Sequence, residues 1–264
     1  MKDDITAVRR QLSQAGIPLG KRPALPQLPR KIKTDNSTLA AAIDHTLLKP
    51  DAGRADIERI CQEANAYGFA SVCVNPLWVS LVASLVEGPA TCTVAGFPLG
   101  ASTTEVKASE ALRAVKDGAT EVDMVLSVGQ LCEAFPVRGD VDGEKAGAVR
   151  DDVAAVVDAV RSGKGGGQRI VKVILETGLL SRRQKIGGCL LVAAAGADFV
   201  KTSTGFGGEG ATSNDVRLMR STVGWRLGVK ASGGVRTRKQ ALSLLRSGAD
   251  RLGCSGSIAL LKDD

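Results

Sequence analysis

The chain is poor in the groups that build most metal and redox centres. Its 264 residues include one histidine, His45, and six cysteines at positions 61, 73, 92, 132, 189 and 254, none of them in a CxxC pair. Zinc-ligand spacing is therefore absent. The cysteines lie mostly in apolar segments, which points to buried, reduced thiols of a cytoplasmic protein rather than a disulfide framework. No apolar run approaches the ~20 residues of a membrane-spanning helix, so no membrane role is expected. The start, MKDDITAVRRQLSQ, has neither an apolar core nor a small-residue cleavage site, which argues against a secretory signal. Asp3 and Asp4 argue against a transit peptide.

The formal net charge of +7 disappears once it is located. Residues 1–33 hold eight Lys/Arg and two Asp, whereas residues 34–264 hold 27 Lys/Arg and 26 Asp/Glu. The body is nearly neutral. The basic start has no aromatic residue between its cations, so it is not a base-stacking platform, and no nucleic-acid partner is expected. It reads as a solvated arm: an amphipathic helix over 3–15, with Ile5, Val8, Leu12 and Ala15 on one face, then the proline-rich stretch GIPLGKRPALPQLPRK. This gives an N-terminal extension and linker over 1–35 and a main domain over 36–264.

What is present is a regular alternation. Strand-like runs occupy 41–48, 69–76, 90–98, 119–127, 169–177, 197–203, 227–233 and 249–256. Helical stretches follow at 54–67, 77–87, 103–117, 144–161, 181–195, 212–221, 237–247 and 257–262. Several helices end on a glycine followed directly by a strand, as in AYGFAS and RSGADRLG. Eight strand–helix units over one domain predict a closed (β/α)8 TIM barrel. The alternative, an open doubly wound sheet, is disfavoured because the first βα turn carries no GxGxxG and the chain has no P-loop.

In a barrel the chemistry sits at the C-terminal ends of the strands. The ionisable residues there are Asp44, Asp123, Lys172, Glu176, Lys201 and Lys230. Lys201 lies in FVKTSTGFGGEG and Lys230 in LGVKASGGV, on strands expected to be neighbours. Two ammonium groups sharing a pocket repel each other, and burial adds desolvation; both effects lower a lysine pKa, at about 1.4 kcal/mol per unit. A neutral amine is a nucleophile, so the pair suggests Schiff-base chemistry on a carbonyl. Strand-end lysines also snorkel to solvent or pair with carboxylates. Lys172 and Glu176 are candidates for such support, with a barrel-layer ion pair the expected role of Glu176. The small-residue loops TSTGFGG, SGG and GCSGS follow on successive strands, and backbone N–H groups of such loops converge on anions. Gly205, Gly233, Gly234, Ser255 and Ser257 are the phosphate candidates.

Seven blocks in order, IDHTLLKP, VCVNP, GFPLG, EVDMVLSVG, VKVILETGLL, FVKTSTGFGGEGAT and VKASGGVRT, resemble the deoxyribose-phosphate aldolase family over about residues 38–262. The resemblance implies a (β/α)8 barrel and a class I aldolase cleaving 2-deoxy-D-ribose 5-phosphate to D-glyceraldehyde 3-phosphate and acetaldehyde, in the breakdown of deoxyribonucleotides in the cytoplasm. It implies Lys201 as the Schiff-base lysine, Lys230 as its assistant and Asp123 as the proton relay, with Lys172, Asp44, Thr202 and Cys73 in support. No cofactor and no metal are implied, and a homodimer is a possible assembly. A lysine aldolase for another sugar phosphate and a non-catalytic sugar-phosphate-binding barrel are the competing readings. Three departures stand out. Phe206 replaces a lysine of some members, Gly256 replaces a serine of many, and the chain ends LLKDD without a terminal tyrosine. EAFPVRGDVDGEKAGAVRDD reads as a variant loop after the fourth strand. Cys73 is also readable as a plain buried thiol, and His45 as a packed, hydrogen-bonding imidazole.

Overall fold

The computed structural model describes residues 1–21, 35–163 and 169–262. In chain order they form α1 (Lys2–Gln14), α2 (Asn36–Ala40), β1 (Ile43–Leu47), α3 (Arg54–Tyr67), β2 (Ser71–Val74), α4 (Val79–Leu85), β3 (Ala90–Ala95), α5 (Thr104–Lys116), β4 (Glu121–Val125), α6 (Val128–Ala134), α7 (Gly143–Ser162), β5 (Ile170–Ile174), α8 (Arg182–Ala194), β6 (Phe199–Lys201), α9 (Ser213–Val223), β7 (Gly228–Ser232), α10 (Arg238–Arg246), β8 (Arg251–Cys254) and α11 (Ser257–Leu261). All strand pairs are parallel, and β8 pairs back onto β1, so the sheet closes in the order β1 to β8. This is the (β/α)8 barrel expected from the alternation.

The elements follow from residue spacing. In α7 the buried side chains Val149, Val153, Val156, Val157 and Val160 recur at helical spacing and turn one stripe to the sheet. The strands are short and buried on both faces, as parallel strands under a helical layer must be. Gly68, at φ +67°, ends α3 in the left-handed region that a side-chain-bearing residue rarely adopts. Sequence periodicity misses α2 and α6, which have only 5 and 7 residues. The segment read as a variant loop is mostly helix: Asp142 accepts a hydrogen bond from the Lys145 backbone N–H at 3.1 Å and starts α7, leaving 135–142 as loop.

The N-terminal arm differs from its sequence reading. One face of residues 1–21 is packed on the barrel, and the other is in solvent. Ile5, Val8 and Leu12 of α1 are buried in the same core as the barrel, and α1 lies against α8. Arg182 of α8 pairs with Asp4 at 2.9 Å, and Arg183 donates to Gln11 at 3.1 Å. Burying three such aliphatic side chains contributes roughly 1.5–3 kcal/mol each. The cover also explains α8, whose Ile186, Cys189, Leu190, Leu191 and Val192 are all buried, more than a helix with one open face would hide. The rest of the proline-rich stretch, 22–34, and the last two residues of LLKDD lie outside the described residues.

Candidate active site

β6 and β7 run in register with Lys201 directly beside Lys230, and β4 and β5 set Asp123 beside Lys172. All four side chains are buried within the barrel. Asp123 gathers the three lysines. Its Oδ2 lies 2.7 Å from both Lys201 Nζ and Lys230 Nζ, and its Oδ1 lies 2.7 Å from Lys172 Nζ. The two candidate lysines are therefore within twice that distance of each other. Below them, Lys230 Nζ is 2.5 Å from Asp44, Lys172 Nζ is 2.6 Å from Glu121, and Arg251 reaches Asp44 at 2.8 Å and Glu121 at 2.7 Å.

This geometry corrects one expectation. Repulsion between two bare ammonium groups does not set the state of Lys230, because a carboxylate stands between them. Burial works to lower the Lys230 pKa, but Asp123 and Asp44 outweigh it and hold it above the ordinary lysine value. Lys172 is held well above that value in the same way, against its burial, by Asp123 and its neighbours. Burial pushes the Asp123 carboxyl up, yet the charges of Lys172, Lys201 and Lys230 hold it well below the carboxylate range.

A cavity of about 290 Å³ opens at Lys201. Its walls come from the C-terminal ends of β1, β7 and β8 and the segments that follow (Thr46 to Lys49, Ser232 to Arg236, Gly253 to Ser255) and from the loop after β6 (Thr204 to Phe206). The anion candidates Gly205, Gly233, Gly234 and Ser255 line it. Close approach explains two of the glycines. A Cβ on Gly210 would fall 2.1 Å from the Gly233 carbonyl oxygen, and Gly233 itself has φ +90°. Thr202 ties the two loops together: its hydroxyl donates to the Ser232 carbonyl and accepts from the Ser232 N–H, both at 3.0 Å.

Two further expectations need correction. Glu176 makes no ion pair among the described residues. It sits just past β5 at φ 56°, and its carboxylate accepts from the Thr204 N–H at 3.2 Å and from the Thr204 hydroxyl. It therefore shapes the loop after β6 rather than a charged barrel layer. Ser257 is outside the cavity wall. Its hydroxyl is buried, 2.8 Å from His45 Nδ1 and 3.2 Å from the Cys254 carbonyl. Cys73 is buried directly beside Cys92 on the neighbouring strand, and their sulfurs and an Asp123 oxygen lie within 4.8 Å of one another. Two thiols and a carboxylate are a metal-like donor set, but Asp123 already neutralises three ammonium groups, and a cation placed there would meet them directly. Phe206, on the cavity wall, stands edge-on to Phe97 at 5.3 Å.

A family model described as DeoC/LacD family aldolase matches residues 152–263. Deoxyribose-phosphate aldolase 1 of Bacillus licheniformis is 49% identical over 226 residues, covering 85% of this chain and 95% of that protein. The deoxyribose-phosphate aldolase of Thermoanaerobacter sp. strain X514 is 50% identical over 227 residues, covering 85% and 96%. This chain belongs to the deoxyribose-phosphate aldolase family. Solved structures agree: the aldolase QR15 superposes with a TM-score of 0.76 at 36% identity over 84% of this chain and 94% of that one. The tetrameric deoxyribose phosphate aldolase of Aeropyrum pernix gives 0.76 at 32% identity, over 96% of each chain.

The site contains residues that the sequence reading did not single out. Glu121, Arg251 and Cys92 belong to it, and Lys49 and Arg236 are cations on the cavity wall. Two of these had a legible signal. Glu121 is two residues from Asp123 and so shares its face of β4, and Arg251 is a cation inside a strand-like run, the same anomaly that marks Lys201 and Lys230.

Proposed function

We propose that this chain reversibly cleaves 2-deoxy-D-ribose 5-phosphate to D-glyceraldehyde 3-phosphate and acetaldehyde, through a Schiff base on Lys201. The observation that carries the assignment of Lys201 is a count of charges. Among the described residues, the ion pairs of Lys172, Lys201, Lys230 and Arg251 are with Asp44, Glu121 and Asp123. With every group ionised, the buried cluster has one cation too many, and losing one proton balances it. Lys230 has two carboxylate partners and Lys172 three. Lys201 has one among the described residues, and it is the lysine at the cavity. It is the amine that a substrate in the cavity can reach.

The chemistry then runs through named atoms. Neutral Lys201 Nζ attacks C1 of the open-chain sugar, the carbinolamine loses water, and the protonated imine withdraws electrons from C2. Asp123, within hydrogen-bond reach of the Lys201 nitrogen, takes and returns protons, and Lys230 on the same oxygen holds it in position. When the C3 hydroxyl gives up its proton, the C2–C3 bond breaks and glyceraldehyde 3-phosphate leaves. The enamine is protonated at C2, and water releases acetaldehyde and the amine. Backbone groups at Gly205, Gly233, Gly234 and Ser255 hold the phosphate, with Lys49 and Arg236 adding positive charge. Asp44 and Lys172 brace the lysine–aspartate centre, Thr202 the loops and Cys73 its packing.

Acetaldehyde with borohydride tests this directly. The expected product is an ethyl group on Lys201, located by peptide mass spectrometry; modification elsewhere, or none, rejects the assignment. A cytoplasmic homodimer is part of the same reading. The free cysteines fit a reducing compartment, whereas the Aeropyrum pernix protein is named as a tetramer. Sedimentation analysis separates dimer from tetramer.

A further inference from the structure

The proposed reaction makes no use of His45, the chain's single histidine. Alternation along β1 turns Asp44 into the barrel and His45 outward, under the helices. The imidazole is buried, with its ring centre 5.0 Å from that of Phe69. Its Nε2 lies 2.7 Å from Glu63 Oε2 on α3, and its Nδ1 lies 2.8 Å from Ser257 Oγ at the start of α11. Glu63 is braced in turn by Arg59 at 2.9 Å. One ring thus joins β1, α3 and α11.

The hydrogen-bond directions follow from the partners. The Glu63 carboxylate only accepts, so Nε2 carries the proton. In the neutral ring Nδ1 is then an acceptor, and the Ser257 hydroxyl must donate to it. With its one proton on Nδ1, that hydroxyl does not donate to the Cys254 carbonyl 3.2 Å away; it accepts instead from the Cys254 thiol at 3.4 Å, which ties it to the rear of the β8 loop. Cys254 and Ser255 line the cavity, and Ser257 touches Cys254. The wall of the cavity at β8 is therefore fastened from behind through Ser257, and His45 is what fastens Ser257.

We infer that His45 is a positioning residue for the phosphate wall: through Ser257 it sets the backbone of Cys254 to Gly256 without touching the substrate. This rests on the reading of the cavity as a sugar-phosphate site. Its mark is a change in phosphate binding with the bond-breaking step intact, which appears in KM and not in kcat.

Three variants separate positioning from mere packing. His45→Phe keeps the ring and loses both hydrogen bonds. His45→Asn keeps a polar atom near the Nδ1 position and its bond to Ser257, while His45→Gln reaches toward Glu63 and loses Ser257. With the full-length enzyme, His45→Phe and His45→Gln are expected to raise KM for deoxyribose 5-phosphate about tenfold, a difference of about 1.4 kcal/mol, with kcat nearly unchanged. His45→Asn should stay near wild type, and kinetics with unphosphorylated 2-deoxyribose should be the same in all. Equal losses in His45→Asn and His45→Gln, a fall in kcat alone, or equal damage with the unphosphorylated sugar overturns the inference. If the Phe variant does not fold, Ser257→Ala must give its KM pattern, and a wild-type KM there overturns the inference as well. Calorimetric binding of inorganic phosphate keeps the question separate from turnover. In a chain that cleaves no deoxyribose 5-phosphate, binding weakened by His45→Gln and spared by His45→Asn still supports the role of His45, and equal binding in all variants rejects it.

Discussion

Two sets of buried charges differ within this one barrel. Between α5 and α7, Lys107 and Asp152 pair at 2.8 Å, and Thr104 donates to the second carboxylate oxygen at 3.0 Å. Inside the barrel, four cations share three carboxylates around Asp123 and Asp44. Lys107 and Lys201 are nearly equally buried, at 0% and 3% exposed, so burial does not mark the reactive lysine. Stoichiometry and access do. The outer lysine has a carboxylate to itself, and helix packing closes over it. The inner cluster has a cation in excess, and the member with fewest partners borders the cavity.

The largest expected effect breaks the inner cluster at its surplus charge. Lys201→Met removes the nucleophile and leaves three cations facing three carboxylates. Turnover should fall by ~10⁴-fold or more, while Tm stays within ~3 °C of wild type. A retro-aldol assay and a thermal scan on the same preparation check both. Retained activity would contradict the mechanism, and a collapsed fold would contradict the charge count.

Lys107→Met makes the mirror-image prediction. It leaves Asp152 buried without its partner, which costs about 3–5 kcal/mol, whereas kcat per folded molecule is unchanged. Urea denaturation gives the first quantity, and rates normalised to trappable Lys201 give the second. A catalytic defect equal to the stability defect would mean that the two charge sets are coupled.

The same contrast explains what was legible in the sequence. The barrel was readable because eight short apolar runs alternate with helical periodicity, and Lys201, Lys230 and Asp123 stood out as charges inside those runs. The ion pairing was not readable. Whether Lys230 faces a lysine or a carboxylate depends on strand register, which brings Asp44 of β1 and Asp123 of β4 to it. Glu176 and Ser257 were misjudged for a related reason: each carries the right group at a strand end, but a left-handed backbone turns the first to Thr204 and His45 captures the second. The packed arm was hinted at by the all-round apolar face of α8, a signal that makes sense only with a covering helix.

Acid and alkali should dissect the inner cluster. The Asp123 carboxyl is raised by burial but held below its unfolded value of ~3.9 by Lys172, Lys201 and Lys230, so its contribution to stability is present above that pH and lost as the pH falls. Lys230 is lowered by burial but held above its unfolded value of ~10.4 by Asp123 and Asp44, so its contribution is present below that pH and lost as the pH rises. Urea midpoints from these groups should be flat in between and decline at both ends. Lys230→Met should flatten the alkaline decline. An unchanged alkaline limb would mean that Lys230 is not the group held protonated.

The smallest expected effect adds a charge at the rim instead of removing one inside. Phe206 is 55% exposed on the cavity wall, edge-on to Phe97, and carries no charge toward a bound phosphate. Phe206→Lys places a fifth cation near the cluster but in solvent, where an ion pair is worth about 0.2–1 kcal/mol. KM for deoxyribose 5-phosphate should fall about two- to fivefold at low salt, with kcat unchanged, and the gain should fade as ionic strength shortens the Debye length. The Lys201 trapping rate at neutral pH should not move, because water screens the new charge from the buried amine. A rate that changes with Phe206→Lys would show that the rim and the interior share one electrostatic environment, and the distinction between an exposed and a buried surplus of charge would fail.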